Sequence, residues 1–409
     1  MTFKLVADFV ARIAIAAGFA AAAVWSVRVG SADFEARKQT VESTEAAVRW
    51  MPDDADNHSR LAALLADRAD AGSVQHLQRA VELNPWDSHA WIELGLYRET
   101  HQDLQNAERC FLRAADADRL YIPRWTLANF YFRHDNLPEF QRWAKAAAQM
   151  VYGDAPALFR LCAKIWDDGA LIDRLDIRRP DVRAEYLAYL LTEARPDLVM
   201  PAARKVIEDG REPDVPLLLS ACDRLLEKAY TQDALEIWNR LAEARRIPLA
   251  PLDPKNGRIL TDGRLGSTSL AHGFAWMIPA VAGVSASAED SGGLRLTFSG
   301  SQPEQCELLS QTVPVEEDTE YELKYLYRTA EIAPDTGLAW RVTDPHGAQL
   351  FGEGQSLSSD DEQWKGLRFR IPAGSRLARL AMWYGRKPGT ARISGYIVLK
   401  ELRVDPAGR

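Results

Sequence analysis

The sequence predicts a multidomain protein in which an α-helical region precedes a β-structured region. Three observations support this fold class. An apolar run lies near the N-terminus, the first half repeats itself every 34 residues, and the last third alternates between apolar and polar residues. We therefore expect, in this order, an N-terminal membrane helix, an α-solenoid and a C-terminal antiparallel β-sandwich.

The apolar run extends from Ile13 to Val27, with Lys4 and Arg12 before it and Arg28 after it. Its length falls between the core of a signal peptide and a full membrane span. Residues 1–30 are therefore predicted to be a signal anchor or a signal peptide. We favour an uncleaved single-pass anchor in the inner membrane of a cell, with the body of the protein facing the periplasm. The alternative is cleavage, which would release a periplasmic or secreted protein.

The segment after the apolar run is predicted to continue as a helix. Phe34, Val41 and Val48 are spaced at intervals of seven, as on one face of a long helix. This pattern predicts a rigid stalk that runs from the membrane into the first helical hairpin.

The 34-residue period is clearest in its alanines. Ala80, Ala114 and Ala148 are 34 residues apart, and Ala47 precedes Ala80 by 33. Small residues are needed wherever two helices approach closely, so this phase predicts the contact points of four successive helices.

The most regular unit combines these small residues with aromatic ones. Trp91, Leu94 and Gly95 begin one predicted helix, and Ala107 and Phe111 follow in its antiparallel partner. This pattern resembles the tetratricopeptide repeat (TPR), and the chain resembles TPR proteins of the bacterial envelope. The resemblance implies that residues 31–247 form a TPR-like helical repeat domain that binds a protein partner. It also implies a role in polysaccharide production or export.

A change of composition marks the end of the helices. Residues 248–256 contain three prolines and are predicted to be a linker, because proline cannot continue a helix. Residues 257–409 are predicted to form the sandwich, with about eight strands. The alternating apolar positions of five of these strands are Leu294, Leu296 and Phe298; Tyr321, Leu323, Tyr325 and Tyr327; Leu338, Trp340 and Val342; Leu367, Phe369 and Ile371; and Leu380, Met382 and Tyr384.

Turn sequences such as Ser291-Gly292-Gly293 and Lys387-Pro388-Gly389 separate the strands at the spacing of an antiparallel sandwich. The order of these segments, which opens with Gly273-Phe274-Ala275-Trp276, resembles jelly-roll carbohydrate-binding modules. The resemblance implies that a polysaccharide is a second candidate ligand.

Composition and motifs exclude several classes of function. A net charge of -8 gives no positive field for a phosphate backbone, so nucleic acid is not an expected partner. The four cysteines are far apart and are predicted to be buried thiols, without a metal site. No catalytic or cofactor-binding motif is present in the sequence, so we expect no enzyme activity and no cofactor.

Two sets of residues are candidates for binding. An exposed indole stacks on a sugar ring and a guanidinium pairs with an acidic substituent. For a glycan, the candidates are Trp364, Trp383, Arg368, Arg370 and Arg379. For a protein groove on the helices, the candidates are Glu93, Arg98 and Arg133. The alternatives are that loops or helices cover the tryptophans and that water solvates the charged groups.

The sequence therefore predicts a non-catalytic, membrane-anchored adaptor or scaffold that binds a protein partner through its TPR-like helices. The alternative is a glycan-binding protein that acts through the C-terminal sandwich.

Overall fold

A computed structural model describes residues 2–66, 68, 72–153, 155–266, 270–290 and 292–407. It divides into two compact units, Met1–Ile165 with Asp173–Arg178 and Trp166–Ile172 with Arg179–Arg409. The predicted order of an apolar N-terminal helix, helical hairpins and an antiparallel sandwich is confirmed. The domain boundaries at residues 30, 247 and 256 remain a prediction.

The helices follow one another with short turns between them. They are α1 (Thr2–Ala36), α2 (Val41–Trp50), α3 (Ala55–Ala66), α4 (Ser73–Leu83), α5 (Ser88–Thr100), α6 (Leu104–Ala117), α7 (Tyr121–Arg133), α8 (Leu137–Ala148), α9 (Ala155–Ala163), α10 (Leu171–Arg174), α11 (Pro180–Thr192), α12 (Pro196–Asp209), α13 (Val215–Glu227) and α14 (Thr231–Glu243).

The four alanines of the 34-residue period lie at contacts between helices, as predicted. Ala47, Ala80, Ala114 and Ala148 are each at most 1% exposed, and each lies near the end of the second helix of its hairpin. Gly95 has no room for a side chain, because an added Cβ would lie 2.5 Å from the Phe111 ring. Small residues therefore set the helix spacing in this region, which resembles the TPR.

The predicted rigid stalk is shorter than expected, because Phe34 belongs to α1 but Val41 and Val48 belong to α2. Helix α1 ends at Ala36, the chain turns through Gln39 at a φ of 55°, and α2 begins at Val41. Thr40 stops any continuation, because its side chain accepts a hydrogen bond from Ser43 N in a capping box. Helix α2 therefore folds back antiparallel to the end of α1, and this leaves Phe34 63% exposed.

Helix α1 contains one candidate membrane span, Ala11–Ala36, with a mean hydropathy of 1.7 and no buried residue within its most apolar window. A helix of this length and composition fits either a membrane anchor or a signal sequence.

Among its described residues the sandwich has nine strands, where about eight were predicted. They are β1 (Val284–Ala288), β2 (Leu294–Ser299), β3 (Gln305–Pro314), β4 (Glu320–Ala330), β5 (Leu338–Thr343), β6 (Leu350–Glu353), β7 (Gln363–Arg370), β8 (Leu377–Gly385) and β9 (Ser394–Pro406). One sheet has the order β1-β2-β9-β4-β7 and the other the order β3-β8-β5-β6, and all pairs are antiparallel.

The core lies between the two sheets. Every apolar residue of the five predicted alternating sets is buried there. Trp340 and Trp276 are fully buried and meet edge to face, with their ring centroids 6.1 Å apart. The segment Gly273–Trp276 is not a strand, although Met277 forms a bridge to Ser310 on β3.

In the second unit, α14 packs against the start of the sandwich region. Trp238 meets Phe274 edge to face at 5.7 Å and donates a hydrogen bond from Nε1 to the Ala250 carbonyl at 3.2 Å. Asn239 exchanges two hydrogen bonds with the backbone of Leu252, at 2.7 and 2.8 Å. The proline-rich segment is thus held against the helix.

Candidate functional sites

A cavity of about 430 Å³ opens among α4, α5 and α6 of the first unit. Its apolar floor includes Leu94 and Cys110, and Trp91 forms part of its wall. Trp91 is fixed in place, because its Nε1 donates a hydrogen bond to the Pro85 carbonyl at 3.0 Å. The floor therefore offers apolar contact in a preformed hollow.

The rim of this cavity carries three arginines and also Glu82 of α4, a carboxylate that pairs with Arg79 at 3.3 Å. Arg98 of α5 and Arg109 and Arg113 of α6 line it. Arg98 Nη1 donates to Asp103 at 2.9 Å, and Arg109 Nη1 donates to Asn106 at 3.4 Å. Hydrogen bonds from Asn106 and then from Arg98 lower the pKa of Asp103, so this carboxylate stays charged and holds Arg98 in position.

Chemically, the cavity suits a ligand with an acidic group beside an apolar one. Arginine binds carboxylates through paired N–H donors, and the apolar floor excludes water from the neighbouring contact. Burial raises the pKa of the Cys110 thiol, although Arg98 opposes the shift. Cys110 is therefore a neutral part of the floor rather than a nucleophile.

The structure does not bring the three groove candidates together. Arg98 lines the cavity, but Glu93 and Arg133 do not. Glu93 lies 4.0 Å from His89, one helical turn away. Arg133 forms two hydrogen bonds to Glu99, at 2.9 and 2.7 Å, so its charge is already paired.

Sequence reasoning missed Arg109 and Arg113, which lie on the rim with Arg98. Their spacing of four residues places both on one face of α6, and this signal was present in the sequence. Gln78 and Glu82 of α4 also line the rim. Nothing in the sequence marks Gln78, because only the packing of α4 beside α5 brings it there.

The glycan candidates fall into two groups, on different sheets. Trp364, Arg368 and Arg370 are exposed at alternate positions of β7, on the outer face of the five-stranded sheet. Trp364 is 45% exposed, and the guanidinium of Arg403 lies 5.2 Å from its ring centroid. Arg368 is 3.7 Å from Glu322. This face therefore offers a partly exposed indole with one guanidinium over its ring and two more along the same strand.

Trp383 and Arg379 lie on β8, on the outer face of the four-stranded sheet. The guanidinium of Arg341 covers the Trp383 ring at 5.0 Å. Arg379 donates two hydrogen bonds to Glu307, at 2.9 and 2.6 Å, and one to Ser310 at 2.9 Å. Burial raises the pKa of Glu307, but the bonds from Arg379 and Ser310 outweigh it, and the net shift is downward. Arg379 is thus occupied by a charged partner.

A cleft of about 320 Å³ lies between α13 and this sheet, and sequence reasoning did not find it. Asp223 of α13 forms one of its walls and accepts hydrogen bonds from His272 Nδ1 at 2.6 Å and from Gly273 N at 2.5 Å. His346 and Arg379 line the opposite side. Within the described ranges, no group of three metal-ligating side chains is present.

No model of a known protein family matches the chain, and no curated protein matches it. Some solved structures resemble its helical repeats, and others resemble its sandwich. The C-terminal part of a TPR repeat-containing protein from Cytophaga hutchinsonii is 11% identical, with a TM-score of 0.30, over 54% of this chain and 95% of that one. YrrB, a TPR protein with an unusual peptide-binding site, is 14% identical, with a TM-score of 0.27, over 50% and 94%.

For the sandwich, a structure of CBM4, a carbohydrate-binding module, is 14% identical, with a TM-score of 0.28, over 36% of this chain and 99% of that one. These likenesses concern the fold alone. The helices and strands described above carry the assignment of the TPR-like array and the sandwich.

Proposed function

We propose that the protein is a non-catalytic, membrane-anchored adaptor that binds an acidic segment of a protein partner through its helical repeats. The observation that carries this proposal is the basic cavity of α4, α5 and α6, with three arginines around an apolar floor. Helix α1 supplies the anchor in the inner membrane, and the body faces the periplasm. A role in envelope polysaccharide production or export fits this arrangement.

The partner segment is expected to place an apolar side chain against Leu94 and Trp91 and its carboxylates beside the arginines. Arg113 and Arg109 are exposed at the rim, so a ligand reaches them without displacing the core. Arginine beside an aromatic residue in a desolvated hollow is typical of the few residues that dominate the affinity of an interface.

The test is chemical crosslinking of the full-length protein in native membranes, followed by mass spectrometry. Arg109→Glu combined with Arg113→Glu is expected to reduce the crosslinked partner about tenfold or more, because like charges then meet the acidic segment. The matched control is Arg142→Glu. Arg142 is an exposed arginine of α8 that pairs with Glu139 at 3.1 Å, away from the cavity. Equal loss in both variants, or no loss in either, contradicts the proposal.

A second function, glycan binding, is favoured by the 45% exposed indole of Trp364, which has the Arg403 guanidinium over its ring and Arg368 further along the same strand. An acidic polysaccharide fits this face, because the indole stacks on a sugar ring while a guanidinium pairs with a carboxylate. Arg370 extends the same row along β7. Trp383 is a weaker candidate because its side chain is less exposed than that of Trp364, although an arginine lies over the ring in both cases.

Retention of the full-length protein on an immobilised acidic polysaccharide tests this second function. Trp364→Ala is expected to abolish retention, and Trp383→Ala to reduce it less. Leu350→Ala serves as control, because Leu350 is 54% exposed but lies on the other sheet. If the unmodified protein passes through every acidic polysaccharide column, this function is excluded.

A further inference from the structure

Large apolar side chains are exposed at one edge of the helical repeats. Trp50 at the end of α2 is 42% exposed, Trp86 between α4 and α5 is 75% exposed, and Leu120 between α6 and α7 is 65% exposed. Ile122, in the first turn of α7, is 55% exposed. We call these four residues the loop edge. Each lies at the end of the second helix of a hairpin or just after it, and equivalent turns of stacked hairpins lie on the same side of the stack.

The turns that carry two of these residues are built alike. Asn84 Oδ1 accepts a hydrogen bond from Trp86 N at 3.2 Å, and Asp118 Oδ1 accepts one from Leu120 N at 2.8 Å. Both pairs are separated by the 34-residue period. An ordered turn thus presents an apolar side chain to solvent in two successive hairpins. This repetition is unlike the scattered exposed apolar residues of an ordinary surface.

The position of α2 relates the loop edge to the membrane helix. Arg28 Nε donates a hydrogen bond to the Trp50 carbonyl at 3.0 Å. Ala32, Ala36 and Ala47 form a buried cluster between α1 and α2. Because α2 runs back along α1, its last residue lies level with Arg28, one residue beyond the apolar run that ends at Val27.

We propose that the loop edge rests on the lipid bilayer, with Trp50, Trp86, Leu120 and Ile122 in the interfacial layer. The inference depends on the anchor of the proposed function, because α1 fixes the level at which the bilayer ends. Tryptophan and flanking arginine are the residues that favour this layer. Trp25, 57% exposed on α1 just before Arg28, adds a tryptophan near the same level.

The charges of these turns indicate how the edge binds. Asp54 and Asp87 cap the first turns of α3 and α5, where they accept hydrogen bonds from backbone N–H groups at 3.0 Å. Asp53 pairs with Arg79 at 3.0 Å. In the third turn, Arg119 and Arg124 flank Leu120 and Ile122, beside Asp118. The carboxylates of the three turns outnumber these arginines, so anionic lipids are not attracted and the apolar side chains supply the contact. Binding is therefore expected in zwitterionic bilayers and without added anionic lipid.

The experiment places a fluorescent probe on full-length protein in vesicles. In the first variant, Leu120→Cys, bimane is attached at the loop edge and Trp86 is unchanged. In the second, Gln105→Cys, bimane is attached at the exposed start of α6, at the opposite edge of the repeats. Selective labelling is feasible because the four native cysteines are buried and burial raises their thiol pKa values. The vesicles contain phosphatidylcholine brominated near the headgroup end of its acyl chains.

Loss of bimane fluorescence at position 120 but not at position 105 supports the proposal. Equal fluorescence at both positions, with the protein still floating with the vesicles, overturns the loop-edge contact and leaves the adaptor function standing. Protein that fails to float with the vesicles overturns both the anchor and the contact. Quenching that appears only after phosphatidylserine is added overturns the apolar mode of binding.

Discussion

The helical repeats and the β-sandwich are built from different kinds of contact. In the repeats, close contacts join helices that follow one another, as Gly95 of α5 meets Phe111 of α6. In the sandwich, central strands pair across the length of the domain, and Leu296 of β2 lies opposite Ile397 of β9. Stability in a repeat array is close to a sum of local terms, whereas a single core is expected to unfold cooperatively. The same protein should therefore respond to substitution locally in one region and as a whole in the other.

The largest effect is expected in the sandwich core. Trp340→Ala removes a fully buried indole that contacts Trp276 and Tyr325, and should destabilise the sandwich by about 3–5 kcal/mol. Trp364→Ala, at a half-exposed site on the outer face, should change stability by less than about 1 kcal/mol. Near-ultraviolet circular dichroism during urea unfolding measures both. Equal losses would contradict the view that the core lies between the sheets.

A smaller, local effect is expected in the repeats. Gly95→Leu forces a side chain into the Phe111 ring, and should cost about 1–3 kcal/mol even though leucine favours helix more than glycine does. Gly30→Leu is the matched control, because a Cβ at this helical position meets nothing within 4 Å. Hydrogen exchange should show the loss in α5, α6 and their neighbours. A loss of protection spread evenly over both units would contradict the view that the repeats respond locally.

The junction between α14 and the sandwich region should respond to Gly273→Ala. Gly273 has a φ of 58°, and a Cβ there would lie 2.9 Å from the Trp238 ring and 3.1 Å from Cys222 Sγ. Gly347→Ala is the control, since Gly347 has a similar φ of 74° but open space around it. Backbone strain should cost about 1 kcal/mol in both variants, with a further loss only in Gly273→Ala. Thermal unfolding followed by calorimetry compares the two, and equal shifts would show that the contact with Trp238 adds nothing.

The smallest effect is expected from pH in the repeats. His58 Nδ1 lies 2.9 Å from His76 Nδ1, and burial and then His58 lower the pKa of His76, against an opposing effect of Glu45. In the unfolded state His76 is protonated below about pH 6.5, whereas in the folded state it is protonated only at a lower pH. The stability from neutral His76 should be complete above that pH and fall as the pH drops through its lowered pKa.

Urea unfolding of the repeats near pH 7 and near pH 5 measures this effect. His76→Gln should flatten the pH dependence, whereas His89→Gln, at an exposed position of α5, should leave it unchanged. A pH dependence that survives His76→Gln would assign the effect to other groups.

The candidate sites were predictable to different degrees. The outward row of Trp364, Arg368 and Arg370 follows from the alternation of β7, because side chains of a strand point to opposite faces in turn. Arg98 was found, but its cavity was not, since a hollow depends on how α4, α5 and α6 pack. The pairing of Arg379 with Glu307 joins two strands far apart in the sequence, and no pattern along the chain signals it.

The sequence by itself determined the apolar run, the alanine phase from Ala47 to Ala148 and the alternating core positions of the sandwich. Each is a pattern of residue types along the chain, so it is visible without knowledge of the fold. Only the tertiary structure decided that α2 turns back beside Arg28, that the glycan candidates separate onto two sheets, and that three arginines surround one hollow. These features depend on which distant surfaces pack together, and that choice is made by the free energy of the whole fold rather than by any local pattern.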